Sequence, residues 1–457
     1  MSTIRPFPNP ALRDQALHIF QAGVAAADPY RAVQRCLGIE DDRLALLPGL
    51  DRTSRKRRGR WRKVHVIAFG KAACAMAQAV RDSIPSQLLA SPGIAVTNYE
   101  NVTAVADFTV IGAAHPLPDR AGVNAAQHII ETLQNADQDD LVLVLVSGGG
   151  SALIPCPRLP VTLAEKIVTT NLLLASGATI KEINCVRKHL SRLKGGGLVR
   201  LTAKADLHAL ILSDVLGDDL SAIASGPTVP DPTTFAQAQQ VLQRCGIWGQ
   251  VPASVRKLLT EGADGVIDET PKPGDDCFKK TTHTLIGSNS VSLSASGNAA
   301  KKLGYPLELY SGYLCGEARE EAQKLAAYAQ KRIAGGLTGP LALLAGGETT
   351  VTLKGKGRGG RNQEMVLAFA LAAERLGLTG QWVFLSGGTD GRDGPTDAAG
   401  GRVDNGSLQR MRKVGIDPAA YLDDNNSYNA LAGSQDLLKT GATGTNVADL
   451  QILLIQP

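Results

Sequence analysis

The stretch Leu141–Leu153, with the sequence LVLVLVSGGGSAL, decides the fold class of this 457-residue chain. Six consecutive aliphatic residues have no polar face, which is typical of a strand buried on both sides of a parallel sheet. Ser147, three glycines and Ser151 follow at once, so the strand ends in a turn with almost no side chains. Such a turn serves either a tight strand-to-helix connection or the close approach of an anion to bare backbone N–H groups.

Strands and helices alternate along the chain on both sides of this stretch. A strand is predicted at Val64–Phe69, with an alanine-rich helix that begins near Lys71, and another strand at Ala209–Leu212. Alternating buried strands and helices predict an α/β architecture with a mostly parallel sheet covered on both faces. One helix is predicted over residues 11–37. The segment 262–282, rich in glycine, proline and aspartate, is predicted to connect two lobes.

The bulk composition excludes several classes of protein. A length of 457 residues predicts two or three domains, and 44% hydrophobic with 20% charged residues is ordinary for a soluble globular protein. The seven cysteines are scattered, without a C-x-x-C spacing, which argues against a disulfide framework or a zinc site. No apolar run approaches the roughly 18 residues of a membrane span, and no secretory signal is recognised. We therefore expect a cytoplasmic protein with no membrane partner.

A run of basic residues precedes the first predicted strand. Residues 52–63, RTSRKRRGRWRK, contain eight lysines and arginines and no acid, and the other 40 basic residues face 43 acidic ones. The run suits either a patch that binds nucleic acid or an anionic surface, or a solvated basic loop. We favour the loop and expect no nucleic-acid partner, because no aromatic-rich or helical reading element accompanies the run.

Three predicted strands end in two or three glycines followed by hydroxyl or acidic residues. Repetition of this feature favours binding of phosphate by backbone N–H groups over turn chemistry alone. The residues predicted to bind substrate or nucleotide at these turns are Ser147, Gly148, Gly149, Gly150, Ser151, Gly346, Gly347, Glu348, Thr349, Gly387, Gly388 and Asp390.

Charged residues at strand ends and on glycine loops are the candidates for chemistry. Lys71 follows a buried strand at a helix start, where its charge suits a phosphoryl group or a carboxylate. Asp214 follows another buried strand and suits acceptance of a hydroxyl proton or binding of magnesium. Arg358 and Arg361, in the loop GKGRGGR, suit bidentate contact with phosphate or carboxylate. His115 is expected to be packed or exposed rather than catalytic.

The common nucleotide signatures are missing from the sequence. No G-x-x-x-x-G-K-[ST] motif occurs, and the glycine spacing of GKGRGGR does not match the dinucleotide fingerprint G-x-G-x-x-G. The sequence therefore predicts neither a P-loop enzyme nor a conventional dinucleotide-binding turn.

Six segments together resemble the glycerate 2-kinases of the MOFRL type, whose members are often labelled hydroxypyruvate reductases. These segments, which occur in the family's order over nearly the whole chain, are VSGGGSAL, KHLSRLKGGGL, ILSDVLGDDLSAIASGPTVPDPTTF, GGETTVTLKGKGRGGRNQEM, SGGTDGRDGPTDAAGG and LLKTGATGTNVADLQILLI. The basic run at 52–63 is the clearest departure from the family pattern. The resemblance implies a Rossmann-like domain over residues 8–261, a C-terminal α/β MOFRL domain over 283–457, and an active site in the cleft between them.

The resemblance also implies an activity and the residues that perform it. The expected reaction is phosphorylation of D-glycerate at its 2-hydroxyl by ATP with Mg²⁺, with Lys71, Asp214 and Arg361 as catalytic residues. Asp393 and Glu348 are the predicted metal ligands. D-glycerate and ATP are the expected partners, with a homodimer as an open possibility.

Two alternative functions remain open from the sequence. An NAD(P)H-dependent hydroxypyruvate reductase would carry a dinucleotide fingerprint after the first strand, where AFGKAACA has a single glycine. A non-catalytic binder of nucleic acid or other anions would depend on residues 52–63.

Overall fold

The computed structural model describes residues 9–41, 43–49, 56–202 and 204–457. The chain forms two compact units, which we call the inner unit (residues 29–286) and the split unit (residues 9–28 with 287–457). The first helix, α1 (Pro10–Ala26), belongs to the split unit, and α2 (Pro29–Cys36) belongs to the inner unit. The single helix predicted over 11–37 is therefore two helices, and the predicted domain of residues 8–261 begins with a helix that packs in the other unit.

The inner unit contains a six-stranded sheet. Its strands are β4 (Val64–Phe69), β5 (Leu89–Asn98), β6 (Phe108–Ala113), β7 (Leu141–Val146), β8 (Asp206–Leu212) and β9 (Thr281–Gly287). They lie in the order β6–β5–β4–β7–β8–β9, and the pairs β5–β6, β4–β5, β4–β7 and β7–β8 are parallel. The predicted mostly parallel sheet is confirmed, and its carboxyl ends meet at one edge, where α/β proteins bind their ligands.

Helices α3 (Ala73–Ser83), α4 (Arg120–Asn135), α5 (Gly150–Leu153) and α8 (Gly197–Thr202) pack against this sheet. Helices α6 (Leu163–Ala175), α7 (Ile180–His189), α9 (Phe235–Arg244) and α10 (Ala253–Ala263) pack on one another around a separate core. All six residues of β7 are buried, as its aliphatic sequence predicts. Thr162 and Thr179 begin α6 and α7 with capping boxes, in which the threonine hydroxyl accepts from the third backbone N–H of the helix.

The described part of the basic run, residues 56–63, is tied into the inner unit. Together with β1 (Leu37–Glu40) and β2 (Arg43–Leu46), strand β3 (Arg57–Gly59) forms a small antiparallel sheet. Arg57 pairs with Asp206 at 2.6 Å, and Arg62 donates two hydrogen bonds to Asp140 at 3.2 Å each. These carboxylates neutralise part of the run, which favours the structural over the nucleic-acid interpretation. Residues 52–55 lie outside the described residues.

The split unit contains a second six-stranded sheet. Its strands are β10 (Leu307–Leu314), β11 (Leu341–Gly347), β12 (Gln381–Gly388), β13 (Gly400–Asp404), β14 (Leu437–Leu438) and β15 (Asp449–Gln456). The order is β10–β11–β15–β12–β13–β14; β10 and β11 are parallel and the other pairs are antiparallel. Strand β15 lies between β11 and β12.

Helices cover this sheet as well, so both units are α/β as predicted. The helices of the C-terminal part are α11 (Asn289–Lys302), α12 (Ala318–Ala334), α13 (Arg361–Arg375), α14 (Ser407–Lys413), α15 (Pro418–Asp423) and α16 (Ser427–Gly433). Side chains of α1 and α11 share a core with Ile452 and Leu454 of β15. Side chains of α12 and α13 share another with Leu453 and Ile455. Alternate residues of β15 thus fill the two cores, as the period of a strand requires. Within the described ranges, no helix has the length and hydropathy of a membrane span.

Candidate functional site

Four strands of the inner unit direct unusual residues to one edge of the sheet. Lys71 follows β4, His115 follows β6, the glycine turn Ser147–Ser151 follows β7, and Asp214 follows β8. Because these strands are parallel, their carboxyl ends lie side by side. The structure therefore brings together Lys71, the glycine turn and Asp214, which the sequence placed far apart along the chain.

The turns after β4 and β7 are joined by hydrogen bonds. The backbone N–H of Lys71 donates to the carbonyl oxygen of Gly148 at 2.8 Å, and the N–H of Ala72 donates to the Ser147 hydroxyl oxygen at 3.1 Å. Gly70 has a φ of +122°, and a side chain there would overlap Ser147. Gly70 is thus required by the close approach of the two turns.

Side chains of Lys71, His115 and Asp214 surround the glycine turn. A β-carbon on Gly148 would overlap the Asp214 carboxylate, and one on Gly149 would lie 3.2 Å from the His115 ring and 3.3 Å from Cγ of Lys71. Gly149 also has a φ of +83°, in the left-handed region. The glycines therefore leave the backbone bare between a cation and a carboxylate, which is the geometry that an anionic substrate with a reactive hydroxyl requires.

The electrostatics of these groups depend on burial and on Lys71. Burial raises the pKa of Asp214 above its ordinary value, while Lys71 and the N–H of Gly149 act in the opposite direction. Burial, followed by Lys71, lowers the pKa of His115, so the imidazole is neutral near neutral pH. A carboxylate whose pKa is raised is a better proton acceptor, and such shifts cluster at functional sites.

Ser151 lies at the far end of the glycine turn and is held from behind by Lys194. Lys194 Nζ donates to the Ser151 carbonyl oxygen at 2.8 Å and to its hydroxyl oxygen at 2.9 Å. The Ser151 and Ser225 hydroxyl oxygens are 2.8 Å apart, and Ser225 donates to Asn184 Oδ1 at 3.0 Å. Since the Ser225 hydrogen is used by Asn184, the Ser151 hydroxyl donates to Ser225 and offers a ligand only a lone pair.

Arg361, the first residue of α13, is the centre of a charged cluster in the split unit. Its guanidinium donates to the Asp449 carboxylate from Nε at 2.6 Å and from Nη2 at 2.9 Å, and its Nη1 lies 3.1 Å from Oε1 of Glu348. The Asp449 side chain is fully buried, whereas the Glu348 side chain is 48% exposed. Arg361 therefore neutralises the buried carboxylate of Asp449, and the other edge of its guanidinium lies beside the exposed carboxylate of Glu348.

Asp393, predicted as a metal ligand, caps helix α13. Its two carboxylate oxygens accept from the backbone N–H of Asn362 at 3.2 Å and of Gln363 at 2.9 Å. Burial is the largest cause of its raised pKa, about 6, and Asp449 acts in the same direction. These bonds occupy the side that faces the helix, so the Asp393 carboxylate is used to begin α13. Within the described residues, no group of three or more histidine, cysteine, aspartate or glutamate side chains has the spacing of a metal site.

The glycine pairs of the split unit lie against their own chain. A β-carbon on Gly346 would overlap Asn289, one on Gly347 would overlap the backbone of Leu314, and one on Gly387 would meet Phe20 and Leu438. Close packing of the chain is a sufficient reason for glycine at these three positions.

The remaining predicted binding residues of the split unit have three different surroundings. A β-carbon added to Gly388 would lie 3.2 Å from a carboxylate oxygen of Asp390. That carboxylate accepts a hydrogen bond from the backbone N–H of Arg392 at 3.0 Å. The Thr349 hydroxyl is buried and has no hydrogen-bond partner within the described part of the chain.

Arg358 lies in an open pocket of about 410 Å³. Its guanidinium stacks on the Tyr428 ring at 4.5 Å from the centroid, and Nε donates to the Pro395 carbonyl oxygen at 3.2 Å. Arg392, Thr396 and Asp397 are among the other residues of this pocket. Two arginines in one pocket suit the recognition of an anion.

Several residues of the inner site were not identified from the sequence. His115 was expected to be packed or exposed rather than catalytic; it is exposed, and its ring lies beside Gly149 and Lys71. Lys194 and Ser225 lie in two of the segments that carry the family resemblance, but neither they nor Asn184 were predicted as site residues. One signal was available for Lys194, since it stands between Leu193 and three glycines, where a surface lysine is unusual.

Comparison with known proteins agrees with this architecture. Residues 15–260 match a family described as a domain of unknown function (DUF4147), and residues 341–449 match the MOFRL family. A protein of Pyrococcus horikoshii named glycerate 2-kinase is 40% identical over 97% of this chain and 97% of its own length. A protein of Agrobacterium vitis labelled hydroxypyruvate reductase is 42% identical over 96% of this chain and 93% of its own.

A solved structure gives the same result. The crystal structure of glycerate kinase from Thermotoga maritima is 38% identical, with a TM-score of 0.85, and the match covers 98% of this chain and 100% of that one. Identity at this level over nearly the full length of both chains is far above what a shared fold alone produces. The chain belongs to the glycerate kinase family of the MOFRL type.

Proposed function

We propose that this chain transfers the γ-phosphoryl group of ATP to the 2-hydroxyl of D-glycerate. The observation that carries the proposal is the placement of Lys71 and Asp214 on either side of the bare turn Gly148–Gly149. The names of the similar proteins from Pyrococcus horikoshii and Thermotoga maritima support the same substrate.

Asp214 is the proposed acceptor of the hydroxyl proton. The 2-hydroxyl oxygen forms its bond to the γ-phosphorus while the bond from that phosphorus to the bridging oxygen of ATP breaks. The hydroxyl proton passes to the Asp214 carboxylate, and ADP leaves. Burial of Asp214 supports this role, because it raises the pKa of the acceptor towards neutrality.

Lys71 is the proposed cation for the transferring group. Phosphoryl transfer spreads negative charge over the three equatorial oxygens, so catalysis depends mainly on positioning and on positive charge. Lys71 Cγ lies close to Gly149, where the substrate carboxylate or a phosphate oxygen could approach the bare backbone of the turn.

Arg361 and Glu348 are the proposed contributors from the split unit. Arg361 would add positive charge to the transferring group. Magnesium supplies charge to the phosphates when it is bound with ATP, and it prefers oxygen ligands with several waters. The exposed carboxylate of Glu348 suits one such position, whereas the carboxylate of Asp393 is engaged with the first turn of α13.

The proposal is tested by two assays run in parallel on the same preparation. ADP release is followed with D-glycerate and Mg-ATP, and NADH oxidation is followed with hydroxypyruvate. We expect ADP release that requires D-glycerate, and no NADH oxidation above background. The label carried by the Agrobacterium vitis protein makes the reductase the rival function. Turnover of hydroxypyruvate by NADH without glycerate-dependent ADP release would contradict the kinase.

A further inference from the structure

Three basic side chains lie together inside the inner unit, behind the Ser147–Ser151 turn. Lys166 of α6 is 4% exposed, Lys194 of the segment after α7 is 1% exposed, and Arg187 of α7 is largely buried. Burial lowers the pKa of each, that of Lys166 to about 7, and for Lys166 and Lys194 the neighbouring cations act in the same direction. We call this group the cation cluster.

No carboxylate compensates the cation cluster within the described residues. Lys166 Nζ is buried without any hydrogen-bond partner, and no ion pair involves Arg187. The hydrogen bonds of Lys194 go to the neutral oxygens of Ser151 and Ala224. The remaining neighbour that titrates is the Cys156 thiol, and burial raises its pKa, so the thiol is uncharged at neutral pH.

A neighbouring lysine of the same helix shows the usual arrangement. Lys188 of α7 is also buried, at 5% exposed, and it lies 3.4 Å from the carboxylate of Asp231. Buried charges in proteins are ordinarily paired in this way, because a charge removed from water without a partner destabilises the fold. Lys166 and Lys194 depart from that rule, because no carboxylate among the described residues pairs with either of them and burial lowers the pKa of both. An anion from outside the chain would keep these two side chains charged.

The position of the cluster indicates what kind of ion this is. Lys194 contacts both oxygens of Ser151, and the Ser225 and Asn184 side chains extend the polar lining. Arg187 is the most exposed of the three cations, so an ion that enters meets its guanidinium first. A guanidinium with two ammonium groups matches a compact oxyanion with several acceptor oxygens.

We propose that Lys166, Arg187 and Lys194 form a binding site for a compact oxyanion, either phosphate or a carboxylate, behind the glycine turn. The site is distinct from the Lys71–Asp214 pair and does not depend on the proposed phosphoryl transfer. Binding there would hold Ser151, and through it the end of the glycine turn, in place.

The test is a thermal unfolding titration with inorganic phosphate and, separately, with D-glycerate, at constant ionic strength set by sodium chloride. A ligand that binds the folded state raises Tm in a saturable way. Wild type is compared with K166M, R187M and K181M. Lys181 is exposed on α7 and serves as the matched control, and R187M serves if K166M does not fold.

We expect at least one of the two anions to raise the Tm of wild type and K181M saturably, and the rise to be smaller in K166M and R187M, where only D-glycerate bound beside Lys71 still contributes. The part of the response that K166M and R187M lose identifies the ligand: a loss with phosphate alone assigns a phosphate site, and a loss with D-glycerate alone assigns a carboxylate site. K166M should also unfold at a higher temperature than wild type without added anion, because the uncompensated charge is gone.

The proposal would be overturned by the absence of a saturable response of wild type to either anion, or by an equal response in K166M, R187M and wild type. A response lost in K71M but kept in K166M and R187M would also overturn it, since the anion would then occupy the Lys71 site. Glycerate-dependent ADP release is measured on the same samples. If wild type shows no glycerate-dependent ADP release, the proposed function is wrong. The anion site at the cation cluster is still tested by the thermal titration.

Discussion

Arg361 donates two hydrogen bonds to the carboxylate of Asp449, at 2.6 and 2.9 Å, and the Asp449 side chain is fully buried. Burial alone would lower the pKa of Arg361, but Asp449 outweighs it and keeps the guanidinium charged. This pair joins the start of α13 to the start of β15. Arg361 therefore supports the fold of the split unit in addition to its proposed catalytic role, and a variant without it is not a purely catalytic variant.

Replacing Arg361 should destabilise the protein. R361M leaves the Asp449 carboxylate buried without a partner, which costs about 3–5 kcal/mol in such pairs. The double variant R361M/D449N should recover part of that loss, because no uncompensated charge remains. Free energies of unfolding from urea titrations measure both effects. R375M, which removes an exposed arginine at the other end of α13, is the control and should change stability by less than about 0.5 kcal/mol. Equal stability of R361M and R375M would refute the structural role.

Asp214 should set the acid limb of the pH–rate profile. Its carboxylate accepts a proton only when ionised, and burial raises its pKa, so kcat/KM should fall with decreasing pH well above the range of an ordinary aspartate. Lys71 lowers that pKa, so the residual activity of K71M should show its acid limb at higher pH than wild type. D214N should lower kcat by about 10²–10⁴-fold and remove the limb. As a control, D264N changes an exposed aspartate of the same unit and should behave as wild type. If the acid limb of K71M is not shifted, Lys71 does not act on the pKa of Asp214.

Gly148 should be intolerant of any side chain. A methyl group there would overlap the Asp214 carboxylate, so G148A must displace the proposed proton acceptor. We expect kcat to fall at least tenfold, because small displacements of reacting groups are costly. Gly249 has no atom within 4 Å of the added β-carbon, and G249A should keep wild-type kcat. Steady-state kinetics of the two variants decide the matter, and equal kcat values would show that the turn tolerates the displacement.

The pair formed by buried His189 and partly exposed Glu269 should make the stability of the inner unit depend on pH. Burial by itself would lower the pKa of His189, but hydrogen bonds to the Cys185 carbonyl oxygen and Glu269 raise it to about 9. The pKa of the unfolded histidine is about 6.5, so this contribution is complete below pH ~6.5 and is lost as pH rises through about 9. Urea unfolding between those limits should show a decline of on the order of 3 kcal/mol in wild type. H189N should show a much flatter dependence over the same interval, and a parallel decline in both proteins would exclude the pair as its source.

The inner site was largely predictable from local sequence. Uninterrupted aliphatic runs such as Leu141–Val146 identify buried parallel strands, and the residues that follow them must meet at one edge. Lys71, the Ser147–Ser151 turn and Asp214 were identified on that basis, and the structure brings them together. His115 follows β6, was expected to be packed or exposed rather than catalytic, and is exposed; its place beside Gly149 depends on the order of the strands, which the local sequence does not specify.

The split unit was less predictable, because its organisation depends on long-range packing. Helical periodicity gives a buried face for α1 but does not specify which core that face enters, and α1 joins the split unit across more than 250 residues of sequence. The insertion of β15 between β11 and β12 also leaves no local signal. The partnership of Arg361 with Asp449 follows from that insertion, whereas Gly346 packs against Asn289 and Gly387 against Phe20 and Leu438.

Phosphorus NMR of the product formed from D-glycerate and Mg-ATP tests the central claim most directly. An ester at the 2-hydroxyl couples to a single proton on its carbon and gives a doublet, whereas an ester at the 3-hydroxyl couples to two and gives a triplet. We predict a doublet that appears with wild type and K181M and is strongly diminished with D214N and K71M. A triplet, or a doublet that forms at the wild-type rate without Asp214 and Lys71, would contradict the account.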